Sequence, residues 1–128
     1  MRIALTLAGS DPGGGAGIQA DLKTFAAFGV FGASAITAVT AQNTVGVTAI
    51  APLTANLVTA QIEAVARDLE IDATKIGMLA TADIVHAVAA AIDAFDLPLV
   101  VLDPVLAASG GLRLLDAAGV QALCSELL

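Results

Sequence analysis

The sequence predicts an α/β fold in which a mainly parallel sheet is covered by helices on both faces. Short apolar runs alternate with segments of helical spacing along all 128 residues, the pattern of an alternating β-α chain. Those runs are mostly apolar, as strands buried on both faces are. With 58% apolar residues, four Phe and no Trp or Tyr, packing rests on Ala, Val, Leu and Ile, which suits helices laid closely on a buried sheet.

Residues 2–8 read as the first strand, and Gly9 to Gly17 breaks it before Ile18, Leu22, Phe25 and Gly29 recur at helical spacing. Residues 33–41 read as one buried strand ending at Gln42-Asn43, a turn occupies Asn43 to Gly46, and a shorter run reaches Ala51. Thr54 caps a helix through Glu70 with Leu57, Val58, Ile62, Val65 and Leu69 as its apolar stripe. Thr74 to Gly77 is a short strand. Thr81 then caps a helix that turns Ile84, Val85, Val88, Ile92 and Phe95 inward, and Leu97 to Leu102 is a β-rich run ending at Asp103-Pro104. Asp116 caps a last helix to Leu128, after which a further strand is expected, so the chain reads as one part of a longer domain.

Composition excludes several classes. Twelve acidic against five scattered basic residues give a net charge of −7, which lacks the clustered basic face of a nucleic-acid binder. The uncharged stretch between Lys23 and Glu63 is interrupted by polar residues, Gly46 and Pro52, so it reads as buried strands and not as a membrane span. The single Cys124 has no intrachain partner, which points to a reducing cytosol; flanked by Leu123, Leu127 and Leu128, it is expected to pack inside its helix.

Ligands of open α/β sheets bind beyond the carboxyl ends of strands, and here those ends are Gly9–Gly17, Gln42–Gly46, Gly77–Leu79 and Asp103–Gly111. The glycine loop suits either an anion at a helix amino terminus or a tight turn that packs helix on strand. No Lys-Ser or Lys-Thr completes a P-loop. Gly15 to Ala20 fits a dinucleotide fingerprint, but the second strand ends in Gln42 where an acidic ribose ligand belongs. The Gln42 amide can read a heterocycle's ring nitrogen and exocyclic amine, or cap its own loop. Asp21, beside apolar helix positions, reads as a solvated boundary residue. Asp103 can hold a metal or its waters, or cap a turn. Lys75 can attract phosphate or project to water. His86, opposite the apolar stripe, is expected to be exposed. No metal-ligand cluster and no nucleophile–His pair can be assembled from these residues.

The run Ala8-Gly9-Ser10-Asp11-Pro12-Gly13-Gly14-Gly15-Ala16-Gly17-Ile18-Gln19-Ala20-Asp21-Leu22-Lys23-Thr24 closely resembles the opening signature of bacterial hydroxymethylpyrimidine/phosphomethylpyrimidine kinases. Thr37-Ala38, Ala41 to Thr44, Lys75 to Leu79 and Val101 to Val105 agree with it in order. The resemblance implies a ribokinase-like three-layer α/β/α sandwich and two successive phosphoryl transfers from MgATP, first to the hydroxymethyl group and then to the monophosphate. By motif position Gly9, Ala16, Asp21, Gln42, Met78 and Val105 would surround the pyrimidine, and Asp103 would lie towards Mg²⁺ and the phosphates.

In the family a Gly-Thr-Gly anion hole, its catalytic Cys or Asp and most of the ATP pocket belong to the following half. Residues 1–128 would then be the amino-terminal part of a single kinase domain, with no catalytic residue of their own. Cys124 does not fall in the anion-hole motif. Ser10 and Gly13 stand where Thr and Ser are frequent, and Ala108 to Gly111 departs from the family's flap. A cytoplasmic enzyme, often a homodimer, is implied. A pyrimidine-binding module without transfer and a pyridoxal-type kinase are the competing expectations.

Overall fold

The computed structural model describes residues 1–108 and 110–128; Ser109 of the expected flap lies outside the described residues. Its elements are β1 (Ile3–Ala8), α1 (Gly17–Ala27), β2 (Phe31–Ile36), β3 (Ala38–Gln42), β4 (Val47–Pro52), α2 (Ala55–Asp68), β5 (Ala73–Ile76), α3 (Ala82–Ala94), β6 (Val100–Leu102) and α4 (Ala117–Glu126). Strands β2-β1-β5-β6 form a parallel sheet, and β3 and β4 form a separate antiparallel pair.

Side chains of β1 divide by the period of two. Leu5 and Leu7 enter the main core with Val58 and Ile62 of α2 and with Ile84, Val85 and Val88 of α3, while Ala122 and Leu123 of α4 close it. Thr6 points to the other face, towards α1. The sheet is therefore covered on both sides, as expected. Coverage on the α1 side does not extend to β6, where Val101 is 64% exposed.

The expected single strand over 33–41 is two strands in two sheets. Thr37, fully buried, is where they part. Its N–H continues the pairing with β1 by donating to Ala8 O (2.9 Å), its carbonyl accepts Leu53 N–H (2.9 Å), and its hydroxyl donates to Met78 O (2.6 Å). Every polar group of the break is satisfied, so the chain can leave one sheet for the other without a buried unpaired donor. The free edge of β2 is met at Ile36 by the Gln61 amide of α2, which accepts its N–H and donates to its carbonyl, both at 2.9 Å.

The three expected caps are present: Thr54, Thr81 and Asp116 accept from Leu57, Ile84 and Gly119 N–H. Two expectations fail. Leu57 is 48% exposed, because α2 turns Val58 and Ile62 to the core and Leu57 sits at the rim of that stripe. Cys124 is exposed, since α4 buries Gly119, Ala122 and Leu123 and Cys124 lies off that face. His86 is exposed as expected, and its Nδ1 meets the Glu126 carboxylate.

At the opposite end of the sheet Asp72 joins the first strand to the start of β5. It accepts Ile3 N–H at 2.8 Å and Arg2 Nη1 at 3.3 Å. The Ile3 hydrogen bond first, and then the Arg2 charge, hold its carboxyl below the ordinary value of 3.8. A carboxylate with a lowered folded-state pKa adds stability that is complete above the unfolded value and is lost as pH falls through the folded one. Asp72→Asn should therefore be less stable than the parent at neutral pH, and the difference should shrink below about pH 4. Urea midpoints across the acid range check this, and a difference independent of pH would refute it.

Candidate functional site

The carboxyl ends of β1, β5 and β6 and the end of β3 converge on one cavity of about 280 Å³. Pockets for drug-sized ligands run from roughly 300 to 1,000 Å³, so this one suits a compound of a single ring. Gly9, Ala16, Asp21, Gln42, Met78, Asp103 and Val105 all line it. Thr40, Lys75 and Leu114 line it too. A more open groove of about 480 Å³ runs between α3, α4 and β6, with His86, Asp93 and Glu126 among its polar side chains.

One wall is the glycine loop, and its geometry decides between the two readings left open. The Asp11 carboxylate accepts N–H bonds from Gly13 (2.8 Å), Gly15 (2.9 Å) and Ala16 (2.8 Å). These are the donors a phosphate would need, and they are already taken. The loop is a closed turn and not an anion cradle. Gly17, at φ +57°, opens α1 there, and a Cβ on it would collide with the Gly9 carbonyl oxygen, which accepts Ile18 N–H at 2.9 Å.

Asp21 is not the solvated residue its helix position suggested. It accepts the Thr6 hydroxyl at 2.6 Å and Lys75 Nζ at 2.9 and 3.1 Å, with side chains only 16% (Asp21) and 26% (Lys75) exposed. Register explains the meeting: Thr6 of β1 is paired with Lys75 of β5, so both point to the face under α1. Gly77 completes the arrangement, because a Cβ there would lie 2.9 Å from Lys75 Nζ and 3.0 Å from Ala8 Cβ. Lys75 is thus neither a free phosphate ligand nor a solvent-facing cation.

The apolar walls are Met78, Val105 and Leu114, packed with Ala38 and Ile50. Gln42 brings an amide whose oxygen lies 3.2 Å from Thr40 Oγ1. The Thr40 hydroxyl is also 2.7 Å from Ser10 O, and its one proton serves the shorter contact better. Among the described residues the Gln42 amide protons have no protein acceptor. Asp103 is exposed, with its N–H anchored on Ile76 O (2.9 Å) and no side-chain partner among the described residues. No group of three His, Cys, Asp or Glu that could cage a metal occurs among the described residues. A lone carboxylate is still compatible with Mg²⁺, which is commonly held by one or two carboxylates with waters and phosphates.

Sequence reasoning missed Thr6, Thr40 and Leu114. Thr40 lies two residues before Gln42 on β3, so strict period-two reading would have found it, whereas Thr6 is brought to Asp21 beside its cross-strand partner Lys75 only by the pairing of β1 with β5. Leu114 reaches the cavity because its N–H bonds Leu106 O (2.8 Å) and folds the segment back beside Val105. No local signal marks that.

A parallel sheet whose strand ends gather a small half-apolar cavity is the arrangement of the ribokinase-like small-molecule kinases, and the chain has that fold. It belongs to the phosphomethylpyrimidine kinase family, whose model matches residues 11–128. A hydroxymethylpyrimidine/phosphomethylpyrimidine kinase of Bacillus subtilis (strain 168) is 57% identical over 125 residues, covering 98% of this chain and 46% of the relative. The crystal structure of a phosphomethylpyrimidine kinase from Clostridium difficile 630 superposes with a TM-score of 0.92 at 43% identity, over 99% of this chain and 55% of that one. An ADP complex of a Bacillus subtilis pyridoxal kinase superposes with a TM-score of 0.86 at 39% identity, over 99% and 46%. The chain spans about half the length of the curated relatives it matches. Among the described residues no helix is long and apolar enough to cross a membrane.

Removing the Lys75 charge leaves a part-buried carboxylate with Thr6 alone. Lys75→Met should cost about 1–3 kcal/mol, between the values of surface and fully buried pairs. Asp21→Asn with Lys75→Met should cost less than the sum of the two single changes, since they remove one shared interaction. Urea unfolding of the four proteins measures the coupling, and strict additivity would show that the pair contributes nothing.

Proposed function

We propose that residues 1–128 form the pyrimidine-binding part of a cytoplasmic kinase that transfers phosphoryl groups from MgATP to 4-amino-5-hydroxymethyl-2-methylpyrimidine and then to its monophosphate, in thiamine biosynthesis. One observation carries the reading: the seven motif residues, spread from Gly9 to Val105, line a single cavity sized for one ring. The ring lies between the apolar side chains of Met78 and Val105, with Gly9 and Ala16 leaving room at the loop wall. Gln42 donates its unclaimed amide protons to the ring edge. Asp21, held by Thr6 and Lys75, presents a fixed negative edge to the substrate hydroxyl.

Asp103 stands at the mouth, where the phosphates of ATP approach. Mg²⁺ bound there would neutralise charge on the transferring phosphoryl group, which in such reactions needs positioning and electrostatic stabilisation above all. With its Gly13, Gly15 and Ala16 donors taken by Asp11, the glycine loop offers no free backbone cradle for that group. The donors that stabilise it, and most of the ATP pocket, are assigned to the part of the relatives' length that this chain does not span. Solved relatives named as pyridoxal kinases share the fold, so pyridoxal is the competing ring.

In the intact protein, Gln42→Ala should weaken binding of the hydroxymethylpyrimidine by about 1–3 kcal/mol, the scale of a buried hydrogen bond left unmade. Calorimetry with the pyrimidine and with pyridoxal tests both readings. Unchanged pyrimidine affinity in a folded variant would end the assignment of Gln42, and preferential binding of pyridoxal would favour the other kinase. Asp103→Asn keeps size and removes charge, so turnover should fall far more than pyrimidine affinity. Normal turnover at limiting Mg²⁺ would exclude Asp103 from the metal side.

A further inference from the structure

Among the described residues Asp11 is the only buried carboxylate, at 5% exposed, and the functional reading above gives it no contact with the ligand. No Lys, Arg or His forms an ion pair with it among the described residues. Its charge is met instead by the three N–H groups of Gly13, Gly15 and Ala16, gathered just before the amino terminus of α1, where the helix dipole favours a negative group. Ala16, the residue that precedes α1, has no side-chain cap of its own. The carboxylate of Asp11 thus reaches from five residues upstream to the N–H of Ala16, the residue at the threshold of α1, and gathers the loop's own donors there.

Its main chain is fixed as firmly. Asp11 N–H donates to Gln19 Oε1 at 2.7 Å, and Asp11 O accepts Gly14 N–H at 3.0 Å. Lys23 closes the outer side of the loop by donating to Gly14 O at 3.0 Å. Two neighbours of this network reach the cavity wall: Ser10 before Asp11 and Ala16 at the end of one of its hydrogen bonds both line the site.

We infer that Asp11 is a positioning residue for ligand binding: its carboxylate is a built-in anion that fills the glycine loop, sets the Ser10 and Ala16 backbone against the ligand, and denies the loop to external anions. This rests on the reading of the cavity as a pyrimidine site. A buried carboxylate also repels a negatively charged group from this wall, which directs the phosphorylated end of a ligand away from the glycine loop.

The test uses the intact protein with Asp11→Ala, which removes the carboxylate and leaves a space of its size, and formate as the probe that can refill it. Thermal unfolding and calorimetry with the hydroxymethylpyrimidine are run with formate and with chloride at equal ionic strength. Excess formate should raise the melting temperature of Asp11→Ala and not that of the parent, because only the variant has an open set of donors. Pyrimidine affinity of the variant should fall about tenfold or more, a loss on the scale of a buried hydrogen bond to a charged group, and formate should restore it while chloride does not. Melting that responds to formate alongside parental pyrimidine affinity would reduce Asp11 to a structural residue and overturn the inference. So would a variant indifferent to formate.

If Asp11→Ala does not fold, Asp11→Asn, which keeps one acceptor oxygen and loses the charge, should still bind the pyrimidine more weakly than the parent, and equal affinity would overturn the inference. A parent protein that binds no pyrimidine would defeat the functional reading. In that case the formate-dependent melting of Asp11→Ala still decides whether the carboxylate is what fills the loop.

Discussion

The Asp21 carboxylate joins the first strand and helix to β5, more than fifty residues further on, and the site depends on that junction. Thr6 on β1 and Lys75 on β5 are neighbours across a parallel pair, and α1 brings Asp21 down onto both. A one-residue slip of either strand would send Thr6 or Lys75 to the opposite face and leave a carboxylate stranded under the helix. The ion pair therefore specifies register as well as local charge.

Two economies of hydrogen bonding shape the rest of the cavity. At Thr37 the chain leaves the parallel sheet with its N–H, carbonyl and hydroxyl all paired, which allows β3 to carry Thr40 and Gln42 over the strand ends. At Asp11 a carboxylate from within the loop satisfies three backbone donors. The first arrangement delivers polar groups to the cavity and the second withdraws them. The result is a site with an amide and a paired acid on one side and thioether and aliphatic walls on the other. Such a site suits a small neutral heterocycle better than a phosphate.

The sheet itself is unevenly covered. Its core side is filled by α2, α3 and α4, but beyond α1 the other face ends in an exposed Val101 on β6. A fully buried hydroxyl, that of Thr74, has no partner among the described residues, and the structure offers no physical account of it.

Much of this is legible in the sequence itself. Helices appeared because their apolar positions recur at 3.6 residues behind Thr54, Thr81 and Asp116, and both signals are local. The loop–strand order placed Gly9, Gln42, Met78 and Asp103 at carboxyl ends, which was enough to expect them in one place. What stayed hidden depends on partners distant in sequence. Nothing near residue 37 shows that its hydroxyl will find Met78, so one expected strand proved to be two. Nothing near Asp21 announces Lys75, and a boundary carboxylate proved to be the centre of an ion pair. Nothing in the glycine run says that Asp11 will curl back onto its donors, so the same residues read equally well as a phosphate cradle. Local periodicity determines which elements form, because it acts over one or two turns of chain. Pairing of buried polar groups is settled only when the elements pack, because each such group needs a partner that folding alone brings within reach.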